Sequence, residues 1–197
     1  MVDVSTFHLY NVTDTCSVWN VLSSAVLYAA AKRGRAEFIC PLFVVYECLD
    51  KPRSSTSDAD AELRARLTEA RTSGAFQTYP LGIEDLQTIS LLEQRKRLGK
   101  GELSAIALAQ KIGQAFLTDD QKARRLAEST LTAGRTQTTP HLVGWLFFER
   151  HLTDGDLNVI VVQHEAMDRP LANYFKETYE EACRCRLLAS QGRKYAE

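Results

Sequence analysis

Short apolar runs alternate along the chain with longer stretches in which apolar residues recur every three or four positions. The runs are typical of buried strands, and the longer stretches are typical of helices. Strands are predicted at residues 7–12, 37–40, 76–81, 114–118 and 131–137. Strands that alternate with helices at this spacing predict an α/β fold with three layers, in which helices flank a doubly wound, mostly parallel central sheet.

Helices fill the segments between these strands. They are predicted at residues 15–33, 43–49, 83–98, 102–112 and 121–128, and Ser57 is a predicted N-cap of one more. Gly99, Lys100 and Gly101 are expected to form a tight loop. Near the end of the chain Pro140 opens a helix, residues 158–162 fit either a helix or a strand, and residues 171–188 form a last helix.

Composition and charge exclude several classes of protein and of binding site. The 197 residues carry 24 Lys and Arg against 25 Asp and Glu, a net charge of -1, so any affinity for nucleic acid requires a local basic patch. Five cysteines without CxxC spacing argue against a zinc site or a disulfide framework. The sequence shows neither a secretory signal nor an apolar run long enough to cross a membrane, so we expect a cytoplasmic protein.

Carboxylates recur at the points where the predicted strands end. Asp14 follows the first strand, and Asp119 and Asp120 follow the fourth, while Glu47 and Glu102 lie on helices packed beside them. The carboxyl ends of parallel strands share one edge of a sheet, so these side chains should converge there. Gathered carboxylates repel one another unless a cation neutralises them. An all-oxygen set of this kind favours Mg²⁺ or Mn²⁺, which supports hydrolysis of phosphodiester bonds.

Four segments together resemble the acidic motifs of PIN-domain ribonucleases, including toxin-like members: VTDTCSVWN, PLFVVYECL, GKGELSAIALA and AFLTDDQKARRLA. The resemblance covers roughly residues 8–150 in order and spacing. By this resemblance Asp14, Glu47 and Glu102 match the first three acidic positions. A PIN-like domain is therefore expected at residues 1–150, with a helical extension at 151–197 packed on the same domain.

The fourth acidic position falls on Asp119 or Asp120. The T-x-D form of the motif selects Asp120, with Thr118 as its threonine. Asp14, Glu47, Glu102 and Asp120 are then the expected catalytic residues, and Asp119 joins them as a metal ligand. The resemblance implies a Mg²⁺- or Mn²⁺-dependent endoribonuclease with an RNA substrate, and it leaves open an antitoxin protein and a homodimer as partners. The extension at residues 151–197 could serve as a dimerisation element, an antitoxin dock or a lid.

Basic residues near these motifs are candidates for contacts with RNA phosphates. They are Lys100, Lys122, Arg124 and Arg125.

Three alternatives remain open on the sequence alone. Asp14 could simply cap the helix that follows it, because Asp is a favoured N-cap residue. The chain could be a PIN-like scaffold that binds RNA or a protein without cutting. A phospho-accepting receiver domain also gathers aspartates at strand ends, although its aspartate pair follows the first strand, whereas Asp119 and Asp120 come late in this chain.

Overall fold

The computed structural model describes residues 3–53 and 55–194. At its centre is a sheet of five parallel strands in the order β3-β2-β1-β4-β5. The strands are β1 Tyr10–Thr13, β2 Glu37–Pro41, β3 Gln77–Tyr79, β4 Ala115–Leu117 and β5 Thr136–Gln137. The strand β1 lies in the middle of the sheet, with β2 and β3 on one side of it and β4 and β5 on the other, as in a doubly wound sheet.

Helices cover both faces of the sheet. They are α1 Thr15–Leu22, α2 Ala25–Arg33, α3 Leu42–Val45, α4 Asp58–Thr72, α5 Ile83–Arg95, α6 Lys100–Ile112, α7 Gln121–Glu128, α8 Thr139–Phe148, α9 Asp156–Ala166 and α10 Ala172–Lys194. A π-helical turn, Tyr46–Asp50, continues α3. The three-layer α/β fold expected from the sequence is confirmed.

The sheet separates two apolar cores. Phe116 and Leu117 are neighbours on β4, and because side chains alternate along a strand they enter opposite layers. Phe116 packs with Val12, whereas Leu117 joins the larger core that contains Phe38. Strands buried on both faces read as continuous apolar runs, which explains why the sequence identifies them.

One predicted helix is wrong: residues 15–33 form two helices, broken at Ser23 and Ser24. The apolar period continues across the break, but both serines are buried and make other bonds. The Ser24 hydroxyl accepts a hydrogen bond from the backbone N–H of Leu27, which caps α2. Ser23 Oγ lies 2.5 Å from Nδ1 of the buried His164 in α9. A local cap at Ser24 and a contact that spans 141 positions therefore meet at the break.

Strand lengths also differ from the predictions. The strand predicted at residues 131–137 shrinks to Thr136–Gln137, and the one predicted at 7–12 becomes Tyr10–Thr13. Residues 158–162 lie in α9, so the strand reading of that segment is wrong. The β-branched residues there pack as a helix because Ile160 and Val161 are buried against the rest of the core.

The C-terminal helices share this core. Ile160 of α9 and Phe175 of α10 are fully buried together with Val143 of α8 and Leu27 of α2. Residues 195–197 of the predicted extension lie outside the described residues. Within the described part of the chain, no helix combines the length and the apolar character needed to cross a membrane.

Candidate acidic active site

Asp14 lies at the carboxyl end of β1 with its side chain fully buried. As the N-cap of α1, its Oδ1 accepts a hydrogen bond from the backbone N–H of Ser17 (2.8 Å), and the Ser17 hydroxyl lies 2.6 Å from the same oxygen. Thr118 Oγ1 donates to the other oxygen at 2.5 Å. Burial nevertheless dominates and raises the pKa of Asp14 to about 7, with a further rise from the charge of Asp119.

Thr118 and Asp120 form the T-x-D segment at the end of β4. The backbone N–H of Asp120 donates to Thr118 Oγ1 (3.2 Å), so this hydroxyl links Asp120 to Asp14. Asp120 is the N-cap of α7, where Oδ1 accepts from the N–H of Ala123 at 2.7 Å. Asp120 therefore both caps α7 and lies at the fourth acidic position.

Glu47 lies in the π-helical turn after β2. Its Oε2 accepts a hydrogen bond from Thr15 Oγ1 (2.6 Å), and its Oε1 accepts one from the backbone N–H of Gly101 (3.1 Å). Thr15 follows Asp14 directly, so the two bonds connect Glu47 to both neighbouring motifs. The wider π turn sets the position of this carboxylate between α1 and α6.

The tight loop expected at Gly99, Lys100 and Gly101 is wrong. Lys100 and Gly101 are the first two residues of α6, and Gly99 is its N-cap. Glu47 explains the difference, because its carboxylate accepts from the first-turn N–H of Gly101, which no residue of α6 itself could satisfy. A methyl group at Gly101 would overlap Glu47 Oε2. Gly101 is therefore needed because the Glu47 carboxylate lies close to its backbone, and not because the chain turns there.

Glu102 is half-buried in the first turn of α6. Burial raises the pKa of Glu102, and the charges of Asp120 and Glu47 raise it further, while the backbone N–H of Gly99 acts in the opposite direction. A methyl group on Gly99 would lie 2.6 Å from Glu102 Oε2. The glutamate therefore lies against the helix terminus and within the electrostatic field of two other carboxylates.

Asp119 has a structural environment of its own. Its Oδ2 accepts from Asn20 Nδ2 (2.7 Å) and Thr139 Oγ1 (2.6 Å), and its Oδ1 accepts from the backbone N–H of Thr139 at 2.8 Å. Burial raises the pKa of Asp119 despite these donors. The side chain thus ties α1 to the start of α8 beside Asp14.

The five carboxylates therefore meet around the carboxyl ends of β1 and β4, in two linked groups. Asp14, which is fully buried, and the partly buried Asp119 form one group, and Glu47, Glu102 and Asp120, all partly buried, form the other. Among the described residues, no three His, Cys, Asp or Glu side chains are already close enough to form a complete metal site.

The donor set nevertheless fits a hard divalent ion. The donors are carboxylate oxygens, Gly99 and Gly101 leave room for two of them at one helix terminus, and burial together with neighbouring like charges raises the pKa of Glu102 and of Asp14. A cation among them would relieve this repulsion.

The four basic candidates do not converge. Lys100 pairs with Glu93 at 2.6 Å, and Arg124 lies 4.0 Å from Glu128. Lys122 and Arg125 are exposed on α7. Lys122 borders a hollow beside α5, whereas Arg124 lines a cleft between α7, α8 and α10 that reaches Asp119.

A family model described as a PIN domain, DUF3368, matches residues 11–133, more than half of the chain. This chain belongs to the PIN-domain family. The match contains all five carboxylates and ends before α8, so α8, α9 and α10 lie beyond the shared region. The PIN fold is a nuclease-type fold, which makes a receiver domain the wrong reading. No curated protein matches the chain significantly.

Several residues that hold the carboxylates escaped the sequence analysis. Ser17 could have been found, because it stands three positions after a candidate N-cap, where the capping N–H is expected. Asn20 and Thr139 gave no local signal. Their bonds to Asp119 span 99 and 20 positions, and only the packing of α1 and α8 against β4 creates them.

Proposed function

We propose that this PIN domain is a Mg²⁺- or Mn²⁺-dependent endoribonuclease that hydrolyses phosphodiester bonds of RNA. The single observation that carries the proposal is the hydrogen-bonded chain from Asp14 through Thr118 to Asp120 at the end of the sheet, next to Glu47 and Glu102. Burying Asp14 raises its pKa to about 7, a cost that a bound cation would offset.

Each carboxylate has a distinct part in this proposal. Asp14, Glu47, Glu102 and Asp120 would hold the ion, with Asp119 assisting from its position beside Asp14. A bound divalent ion would lower the pKa of the attacking water and stabilise the leaving oxygen. Thr118 orients Asp14 and Asp120 by donating to one and accepting from the other.

The protein residues also fix the geometry before any ion arrives. Ser17 and Thr118 hold both oxygens of Asp14, and Thr15 with Gly101 holds Glu47. Such donors reduce the reorganisation that a metal site requires, although the carboxylates must still close around the ion.

The toxin-like motifs support a narrower proposal for the biological setting: a cytoplasmic toxin restrained by an antitoxin protein. The helices α8, α9 and α10 lie beyond the shared PIN region, and we propose the α9 and α10 extension as the surface that an antitoxin or a second copy would contact. Co-expression with a neighbouring small gene product that restores growth would test this setting separately from the chemistry.

The nuclease proposal is tested by cleavage of labelled single-stranded RNA by the wild-type protein and by Asp14→Asn, with Mn²⁺, Mg²⁺ or EDTA. The amide can keep the N-cap bond to Ser17 but removes the charge, so we expect the variant to lose at least about 100-fold in rate. Asp156→Asn, the same change at the first residue of α9, where the carboxylate accepts hydrogen bonds from Thr153, is the matched control. Equal cleavage by Asp14→Asn and the wild type, or full cleavage in EDTA, refutes the proposal.

The alternative is a PIN scaffold that binds without cutting. One observation favours it: among the described residues no three potential ligands are already assembled. Calorimetry of Mn²⁺ binding separates the two functions, because a nuclease binds the ion and loses that binding on Glu102→Gln, whereas a scaffold shows no binding in either protein.

A further inference from the structure

The two surfaces that flank the acidic centre carry opposite charge. On the side of α5 and α7 lies a hollow of about 660 Å³ bordered by four cations, Arg95, Lys96, Arg97 and Lys122, and one carboxylate, Glu93. On the side of α8 and α10, the cleft that reaches Asp119 is bordered by two more carboxylates, Glu177 and Glu181, and by one arginine, Arg124.

The cations of the hollow are available to a ligand. Lys96, Arg97 and Lys122 are exposed, and none of them forms an ion pair with another residue in the described ranges 3–53 and 55–194. Arg95 donates to the neutral hydroxyls of Ser129 and Thr130, and within the described part of the chain it forms no ion pair.

The one carboxylate in the hollow is already neutralised. Glu93 accepts from Lys100 Nζ at 2.6 Å, so its charge offsets a cation outside the group of four. The hollow is thus a concentrated positive patch on a chain whose net charge is -1. A local patch of this kind is what affinity for nucleic acid requires in a protein without overall positive charge.

The hollow also lies close, along the chain, to the carboxylates that would hold the catalytic ion. Lys122 lies in the first turn of α7, two residues after Asp120, and Arg97 lies two residues before Gly99, which contacts Glu102. The hollow is thus bordered by the two chain segments that lead into Asp120 and Glu102. The opposite cleft would repel a phosphate backbone, because its carboxylates outnumber its cations.

We infer that the hollow formed by Arg95, Lys96, Arg97 and Lys122 binds the phosphates of single-stranded RNA and sets the side from which the strand enters the acidic centre. This inference deepens the proposed nuclease function and rests on it for the direction of the strand. The cations are carried by a helix end, a connector and a second helix, a spread that follows one strand rather than a single phosphate.

The test is a titration of labelled single-stranded RNA, in EDTA and over a range of salt, with the wild type and with Lys96→Gln/Arg97→Gln. We expect the variant to bind about tenfold more weakly and to lower the slope of log affinity against log salt by about 1.4, because each phosphate contact to a single strand contributes about 0.7. The matched control is Lys32→Gln/Arg35→Gln, which removes the same charge from exposed residues before β2, at the opposite end of the sheet.

The control variant should bind RNA as the wild type does. Equal weakening in both variants would mean that net charge alone matters and would overturn the inference. Unchanged RNA binding by Lys96→Gln/Arg97→Gln would also overturn the inference, and so would a wild-type protein that binds no RNA. Either result would favour an acidic protein segment as the ligand of the hollow. A duplex of the same length should bind more weakly, and tighter binding of the duplex refutes the assignment to single strands.

This outcome is independent of the cleavage assay. Binding in EDTA does not require catalysis, so a failed nuclease proposal would appear as intact RNA with Mn²⁺ while the binding difference remained. A failed inference would appear as unchanged binding in a protein that still cuts RNA.

Discussion

Asp14→Asn should stabilise the protein while it removes the proposed activity. The carboxyl is fully buried, and its pKa is raised from the model-peptide range to about 7. Between about pH 4 and pH 7 the unfolded chain has released this proton and the folded chain has kept it, so stability falls as pH rises through that window. A difference of about three pKa units corresponds to about 4 kcal/mol lost by pH 8.

The asparagine variant does not pay this cost, but it gives up part of the bond with Thr118. In the wild type, the Thr118 hydroxyl donates to one oxygen of Asp14 at 2.5 Å. In the variant, the amide NH₂ group would face this hydroxyl, which would then have to accept a hydrogen bond, at a cost of about 1 kcal/mol. We therefore expect the free energy of unfolding of Asp14→Asn to exceed that of the wild type by about 3 kcal/mol at pH 8, and the two to differ by less than about 1 kcal/mol at pH 5.

The assay is urea unfolding at pH 5 to 8 in EDTA, followed by tryptophan fluorescence. Asp156→Asn is the control, because hydrogen bonds from Thr153 lower the pKa of Asp156 and the variant should be slightly less stable at every pH in that range. A constant difference between Asp14→Asn and the wild type from pH 5 to pH 8 would refute the reasoning. Mn²⁺ at 100 times its dissociation constant should stabilise the wild type by about 2.7 kcal/mol at pH 8 and the variant by less.

Three further predictions test the surrounding structure. Gly101→Ala should weaken Mn²⁺ binding at least about tenfold in calorimetry, because the added methyl overlaps the carboxylate of Glu47, while the melting temperature changes by only a few degrees. Asp119→Ala should lower the free energy of unfolding in urea by about 2 to 4 kcal/mol, because it leaves the donors of Asn20 and the α8 terminus unpaired. Phe175→Ala should cost about 3 to 5 kcal/mol in the same assay, and a cost below 1 kcal/mol would show that α10 folds apart from the PIN core.

Much of the fold and of the acidic set can be read from local patterns. Asp14 and Asp120 follow buried strands, and residues at that point of a parallel sheet must lie at one edge. The helix Gln121–Glu128 was predicted with the bounds that it has, because an aspartate cap and an apolar stripe both lie within its own sequence. The roles of these carboxylates in binding a metal stay predictions.

The errors occur where distant residues make the decision. The start of α6 involves Glu47, and Ser23 at the break between α1 and α2 contacts His164, so these contacts do not follow from neighbouring residues. The cap that Ser24 forms with Leu27 is the local part of the same break. The different surroundings of Asp119 and Asp120 also depend on distant residues. Asn20 and Thr139 donate hydrogen bonds to Asp119, whereas Asp120 lies near Glu102.

The sequence by itself determined the layered α/β architecture and the placement of carboxylates at strand ends, because hydrophobic period and strand-end position are properties of short segments. The family followed from the resemblance of four acidic motifs to those of PIN domains. Tertiary structure decided which carboxylates are buried, which donors hold them and which flank of the centre is basic. Those features depend on the local dielectric and on pairs of side chains far apart in the chain, and both come into existence only when the helices pack against the sheet.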